Sequence, residues 1–483
     1  MDFANRHIGP DSDDIRDMLV AINKNSISEL IDSILPGLTE DQNGLDLMEP
    51  MSENGFLKYA QSIASMNKNF RSYIGMGYVS SLTPTVIQRN ILEDPGWYTQ
   101  YTPYQSEISQ GRLEALFNFQ TIVCELTGME LSNASLLDEA TAAAEAMAMF
   151  YICRKNKNAS KFFVDFQCHP QTIAVLKTRA KARGWSIELG SYDAFEVEDT
   201  FFGGIVQYPN TTGEILDYSV ITEDLHSVGA NIVYATDPLA LSVLTAPGSL
   251  GADAVIGSMQ RFGMPMGNGG PHAAFFATKQ SFKRFIPGRI IGASIDSDGN
   301  PAFRMALQTR EQHIRREKAI SNICTAQALP AIVATMYAIY HGSKGLRDIA
   351  YCVHSKARAL ADALAKSGCK INTINYFDTI CVEPTEKQNA ELTSRLDLAE
   401  INVRHLDRNT IGITLDEATE WSELPKLFQA ITNDTICTDE LKNIEYDLSD
   451  CLDRPDDFFI NSVFMSCTSE TKLLRYMQKL KNR

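Results

Sequence analysis

The sequence predicts an α/β protein. A large domain carries a mostly parallel β-sheet with helices on both faces, and a small α+β domain follows it. Three observations carry this expectation. Apolar strands alternate with helical stretches between residues 162 and 237. The run 251–277 reads as a buried strand, a glycine-rich loop and a returning apolar strand. Between residues 370 and 431, short strands and helices are interleaved more tightly, as in a cap on a parallel-sheet domain.

At 483 residues the chain is too long for one average domain, and roughly 150 residues per domain gives two or three. Apolar residues at 44% and charged residues at 22% are ordinary for a globular protein with a sizeable core. The net charge of -16 argues against broad nucleic-acid binding. The ten cysteines lack C-x-x-C spacing, so neither a zinc signature nor a disulfide scaffold is present, and a reducing compartment is expected. The first residues lack the apolar core of a signal peptide, and Asp2, Asp11, Asp13 and Asp14 make a poor transit peptide. No apolar run is long enough to span a bilayer, so no membrane association is expected. The expected location is cytoplasmic, with the mitochondrial matrix left open.

Four segments follow in order: a helical arm at 1–70, the large domain at 71–345, the small domain at 346–445 and a tail at 446–483. In the arm, Ile15, Met18, Leu19 and Ile22 recur at helical spacing. Ser26 and Glu29 form a capping box for a second helix, which Pro36 stops. Tyr73, Tyr78, Tyr98, Tyr101 and Tyr104 cluster around glycines and prolines, and either line a site or belong to a packed surface loop. Ser109 to Leu126 reads as an amphipathic helix with Gly128 just past its end. An alanine-rich helix then begins at Asp138 and Glu139, whose charge suits the positive end of a helix dipole.

Strands are expected at 162–166, 185–189, 204–207 and 231–237, with helices starting at Pro170 and Ser219 between them. Sites in such sheets lie at the carboxyl ends of strands, where Asp237 falls. As an acid at a strand end, it is a site residue, a helix cap or a solvated loop residue. Gly263, Gly267, Gly269 and Gly270 tolerate positive φ, and Pro265 and Pro271 stiffen the loop that holds them. That loop either shapes a site or forms a tight structural hairpin. Arg310, Arg315, Arg316 and Lys318 make the most basic patch, interleaved with Glu311 and Glu317. A long apolar helix over 326–341, continued by another over 346–365, links the two domains.

The glycine loop resembles the site loop of the glycine decarboxylase P-protein family, whose members resemble two tandem copies of one pyridoxal-phosphate (PLP) enzyme fold. In the catalytic copy the loop reads His-Lys-Thr-Phe-x-x-Pro-x-Gly-x-Gly-Gly-Pro, and its lysine carries PLP as a Schiff base. Phe262, Pro265, Gly267, Gly269, Gly270 and Pro271 match, while the His-Lys pair falls on Met259 and Gln260. An amide cannot form an imine with an aldehyde, so the nucleophile is missing. The family's non-catalytic N-terminal copy also lacks the lysine. The resemblance covers the whole chain, including a Tyr-Thr-Pro-Tyr-Gln loop at Tyr101, Thr102, Pro103, Tyr104 and Gln105 and a Ser-Glu-Thr-x-x-x-Arg-Tyr-Met run from Ser469 to Met477. It departs at Asn461, Ser462, Cys467 and Thr468, where the family more often shows His-Pro and Tyr-His.

The resemblance implies the fold type I, aspartate aminotransferase-like architecture of PLP-dependent transferases. It implies a vestigial cofactor site at Asp138, Glu139, Asp237, Gln260, Gly267, Gly269 and Gly270. In this fold the start of the alanine-rich helix binds the cofactor phosphate, and Asp138 and Glu139 would repel it there. An acid near Asp237 pairs with the pyridine nitrogen in the catalytic copy. No catalytic residue, no covalently bound cofactor and no metal are expected in this chain. It would instead pair with a catalytic half or subunit, lending residues 101–105 to that partner's cleft. The complete enzyme would use PLP to decarboxylate glycine and pass the aminomethyl group to the lipoyl H-protein. The alternative is a pseudoenzyme or scaffold remnant without an active partner. A self-sufficient PLP enzyme conflicts with Gln260 and Asp138.

Overall fold

A computed structural model describes residues 4–37, 45–99, 104–307, 326–442 and 453–483. The chain divides into two compact units, Met1–Phe70 and Arg71–Arg483. The first unit is helical, with helices at Ala4–His7, Ser12–Ala21, Ile27–Ile34 and Glu53–Ala64. Its capping box is at Asp11 and Asp14 instead of the expected Ser26 and Glu29. Ser26 does accept from the Glu29 N–H at 3.0 Å, but the Glu29 carboxylate turns to Asn25, taking its N–H at 2.8 Å and its side-chain amide at 2.9 Å.

The second unit opens on β1 (Arg71–Tyr73), a strand too short and polar for its periodicity to be read. Among the described residues, its large sheet holds β2 (Leu131–Ser132), β3 (Lys161–Asp165), β4 (Ser186–Gly190), β5 (Phe201–Tyr208), β6 (Asn231–Thr236), β7 (Ala254–Ser258) and β8 (Ala274–Thr278). The order is β2-β8-β7-β6-β5-β3-β4. Pairing is parallel from β4 through β7 and antiparallel where β8 returns beside β7 and where β2 joins.

The sheet is buried on both faces, and its strands divide their side chains by the period of two. Thus β6 sends Ile232 and Tyr234 into one apolar cluster and Val233 and Ala235 into the other. The first cluster also holds Leu113, Leu116 and Phe119 of helix Gln110–Thr127, which ends on Gly128 in the left-handed conformation. The second holds the apolar residues of helix Glu139–Cys153 and of helix Pro170–Arg183, where Pro170 takes the first helical position. The hairpin of β9 (Ile290–Ile295) and β10 (Pro301–Ala306) follows and was not foreseen.

Helix Ala328–Lys366 crosses to the small sheet and breaks at Gly342, where φ is 61° and ψ is -176°. The small sheet contains β11 (Lys370–Ile371), β12 (Thr379–Glu383), β13 (Ile401–His405) and β14 (Ile411–Thr414). Its order is β1-β13-β14-β12-β11. Here the expected domain boundary needs correction: Arg71 to Tyr73 were placed in the large domain, yet β1 pairs in parallel with Ile401 to Val403 and buries Tyr73 in the small core. Two short helices, Glu386–Asn389 and Leu392–Leu398, lie between β12 and β13. The tail ends in helix Glu470–Lys481. The basic patch of Arg310, Arg315, Arg316 and Lys318 lies outside the described residues.

Candidate functional site: a filled cofactor cleft

The carboxyl ends of β5, β6 and β7 face the small domain across a polar cavity of about 50 Å³. Glu139, His169, Gln207, Thr236, Asp237 and Arg261 line it from the large domain, and Asp378 and Thr414 from the small one.

Gln260, at the position of the missing lysine, is 0% exposed. Its Oε1 accepts from the Val79 N–H at 3.1 Å, and its Nε2 donates to Val79 O at 2.9 Å and to Met264 O at 2.5 Å. Both ends of the amide are therefore spent on backbone, and they tie the loop after β1 to the glycine loop. A lysine would leave the Val79 N–H without its acceptor.

Arg261 was not singled out from the sequence, and it dominates the cleft. Its guanidinium contacts Asp237 at 2.6 Å and Asp378 at 2.6 Å, joining the two domains. Burial acts to lower its pKa, but the two carboxylates outweigh burial and hold it above the ordinary value. The Asp378 carboxyl is pushed up by burial, with Arg261 pulling the other way. Asp237 meets Arg261 through one oxygen, and its other oxygen caps the turn at Leu239 and Ala240 at 2.8 Å and 3.0 Å. It is thus both a cap and half of an ion pair.

At the phosphate end, Asp138 is the N-cap of helix Glu139–Cys153 and accepts from the Thr141 N–H at 2.7 Å. Glu139 is buried, and its carboxyl is pushed up to about 8, first by burial and then by Asp237 and Asp138. His169 bonds Thr211 Oγ1 at 3.0 Å through Nδ1, and burial, then Arg404, lower it to about 4, so it is neutral at pH 7.

The structure brings Asp237 and Glu139 together on this cavity, and Gln260 sits behind its wall. It does not bring Gly267, Gly269 and Gly270 there: they form the tip of the glycine loop, away from the cavity lining. Their backbone conformations are nonetheless those expected, with φ of 58°, 114° and 129°. Of residues 101–105, Tyr101, Thr102 and Pro103 lie outside the described residues. Tyr104 is buried, with Arg289 over its ring at 3.9 Å. Gln105 is exposed.

These residues do not fit a covalent pyridoxal phosphate. The imine-forming amine is an engaged amide, the phosphate end carries two acids, and a guanidinium already holds Asp237. The remaining volume takes only a few water-sized groups.

Fold and site together define the class: the fold type I architecture of PLP-dependent transferases, with the buried amide of Gln260 at the end of β7. The fold is shared with a C-DES mutant crystallised with glycine covalently linked to its PLP cofactor, at a TM-score of 0.55 and 12% identity over 76% of this chain and 97% of that one. A far closer structure is a glycine decarboxylase P-protein of the glycine cleavage system in inhibitor-bound form. It superimposes with a TM-score of 0.81 at 32% identity, covering 90% of this chain and 100% of that chain. Glycine dehydrogenases (decarboxylating) from Nostoc punctiforme and Synechocystis are 48% and 47% identical over 100% of this chain, but over only 50% and 49% of their own lengths. The family model of the glycine cleavage system P-protein matches residues 5–431. The chain belongs to the glycine cleavage system P-protein family, and it spans about half the length of these curated relatives.

Proposed function

We propose that this chain is the lysine-less N-terminal half, or first subunit, of glycine dehydrogenase (decarboxylating). It contributes no nucleophile and binds no PLP covalently. A catalytic half holds the cofactor, which supplies the electron sink for decarboxylation of glycine. The aminomethyl group then passes to the lipoyl arm of the H-protein. The role of this chain is to dock on the catalytic half and complete its cleft, through the loop at Tyr101, Thr102, Pro103, Tyr104 and Gln105. Within that loop, the exposed Gln105 is the described residue available for contact.

The observation that carries this reading is Gln260. A buried amide bonded at both ends is an established structural element, and it leaves this chain nothing with which to begin the chemistry. A P-protein chain matched over its full length by 90% of this one supports a separate half-length subunit. The alternative, a scaffold remnant without an active partner, makes the opposite forecast in one experiment. The chain is assayed for glycine–bicarbonate exchange alone and after mixing with a catalytic half, with PLP added. No exchange alone and exchange in the mixture is the expected result. Exchange by the isolated chain overturns the assignment, and failure of every catalytic half to bind it favours the remnant.

A further inference from the structure

The cavity beside Arg261 contains polar atoms that have no hydrogen-bond partner among the described residues. Glu139 Oε1, Gln207 Oε1 and Thr236 Oγ1 are buried without a hydrogen-bond partner, together with one donor, Asn210 Nδ2. All four residues line this one cavity and are more than nine-tenths buried. Buried polar groups are almost always paired in folded proteins, so several on one wall call for a common guest.

The guest's chemistry follows from what surrounds it. Glu139 Oε1 and Gln207 Oε1 accept and Thr236 Oγ1 accepts or donates, so against one amide donor the wall carries an excess of acceptors that a donor or a positive charge meets. Asp237 and Asp378 face Arg261, Arg404 bonds Thr211 Oγ1 on the same wall at 2.9 Å, and Glu139 adds a third carboxyl, so the ionised carboxyls outnumber the guanidiniums and an anion is disfavoured. An apolar guest would leave every oxygen unpaired. Neutral amide and hydroxyl oxygens with one carboxylate suit a hard cation of low charge, and no His, Cys, Asp and Glu group suited to a metal ion occurs among the described residues. A cavity of about 50 Å³ holds one such ion with one or two waters.

We propose that this cavity binds a small monovalent cation of the ammonium and potassium class, held by Glu139, Gln207 and Thr236, with Asn210 orienting a water of its shell. The space an ancestral cofactor would fill becomes an internal ion site that, with Arg261, braces the two domains. The inference does not depend on a catalytic partner, because every group lies in this chain. The titratable groups facing Glu139 are Asp237, Asp138, Tyr78, Cys168 and His169, with Arg261 on the same cavity. Burial, Asp237 and Asp138 favour its protonated form, so a proton competes with the cation, and binding belongs at about pH 8.5.

The full chain is unfolded thermally at that pH in lithium, sodium, potassium and ammonium chloride of equal ionic strength. Potassium or ammonium is expected to raise the midpoint by about 2 °C over lithium. Glu139→Gln and Thr236→Val should each abolish that difference, whatever they do to the midpoint itself. Equal midpoints in all four salts overturn the proposal, as does a difference that both variants keep. Crystals soaked in rubidium chloride give an independent reading: an anomalous peak in the cavity supports the site, and water alone there overturns it. A stronger response to ammonium than to potassium selects the hydrogen-bonding ion, and the reverse order selects the oxygen-coordinated one.

Discussion

Gln260 and Arg261 are adjacent in sequence and do separate work. Gln260 closes the site from behind by pairing with Val79 as one strand residue pairs with another. Truncation to alanine removes three hydrogen bonds and strands buried backbone groups of Val79 and Met264, at a cost of about 2–4 kcal/mol read by urea unfolding. Gln260→Lys is expected to restore no cofactor binding, since Asp138, Glu139 and Arg261 remain. A borohydride-trapped PLP adduct on the new lysine would contradict this. Arg261→Met leaves Asp237 and Asp378 facing each other uncompensated, which costs about 3–5 kcal/mol. The loss carries a pH signature. The folded-state pKa of Asp378 is already raised by burial, and losing the guanidinium raises it further. A carboxyl with a raised folded pKa destabilises progressively as pH climbs above its unfolded value of about 3.9. The gap between variant and wild type should therefore widen as pH rises above about 3.9, and a gap that does not change with pH would refute the mechanism.

At the scale of elements, the sequence was most legible where burial leaves a periodic trace. Strands β3, β5, β6 and β7 are apolar runs bounded by turn residues, and the helices between them begin at Pro170 and Ser219, as expected. The missing nucleophile was legible for a different reason: the prolines and glycines around Gln260 fix its register. Three features were not legible. Strand β1 is Arg-Ser-Tyr, which has no apolar signal, and its membership of the small sheet is a tertiary fact. Arg261 reads as a solvated cation until folding brings Asp378 against it. Tyr104 reads as a loop tyrosine until Arg289 covers its ring. The interdomain helix gives a test at this scale, because its sequence reads as continuing through Gly345 and it instead breaks at Gly342. The φ of 61° and ψ of -176° there are tolerated essentially by glycine alone, and a Cβ would meet Phe464 O at 3.0 Å. Gly342→Ala should cost about 1–3 kcal/mol and lower the unfolding midpoint in calorimetry, whereas Gly345→Ala should cost less, since Gly345 lies in regular helix.

For the molecule as a whole, the tail folds back onto the large domain. The run from Ser469 to Met477, which resembles the family's run at the bridge into its catalytic half, lies in helix Glu470–Lys481, and that helix rests against helix Gln110–Thr127. Tyr476 takes a hydrogen bond from Asn118 at 2.8 Å and gives one to Glu114 at 3.2 Å. Lys481 and Arg483 pair with Asp94 and Glu114, each at 2.7 Å. Upstream, Arg454 donates to Leu126 O at 2.8 Å and Glu125 O at 2.7 Å, covering carbonyls at the end of that same helix, and to Leu241 O at 2.6 Å in the short turn Ala240–Ser242. The ion pairs are partly exposed and each contributes little by itself. Close approach of the two backbones is the larger effect, and it depends on one residue: a Cβ on Gly111 would come within 1.7 Å of Leu480 O, an overlap that only backbone movement can relieve. Gly111→Ala is helix-compatible in its own element, where alanine is favoured by about 1 kcal/mol. If the tail is an integral part of this half, the substitution should expel the last helix while leaving the sheet intact. Limited proteolysis should then cut between residues 453 and 470 much faster than in the wild type, with little change in far-ultraviolet circular dichroism. Unchanged cleavage would mean that the tail is held by its side chains alone, and that the contact at Gly111 is incidental to its folding back onto the large domain.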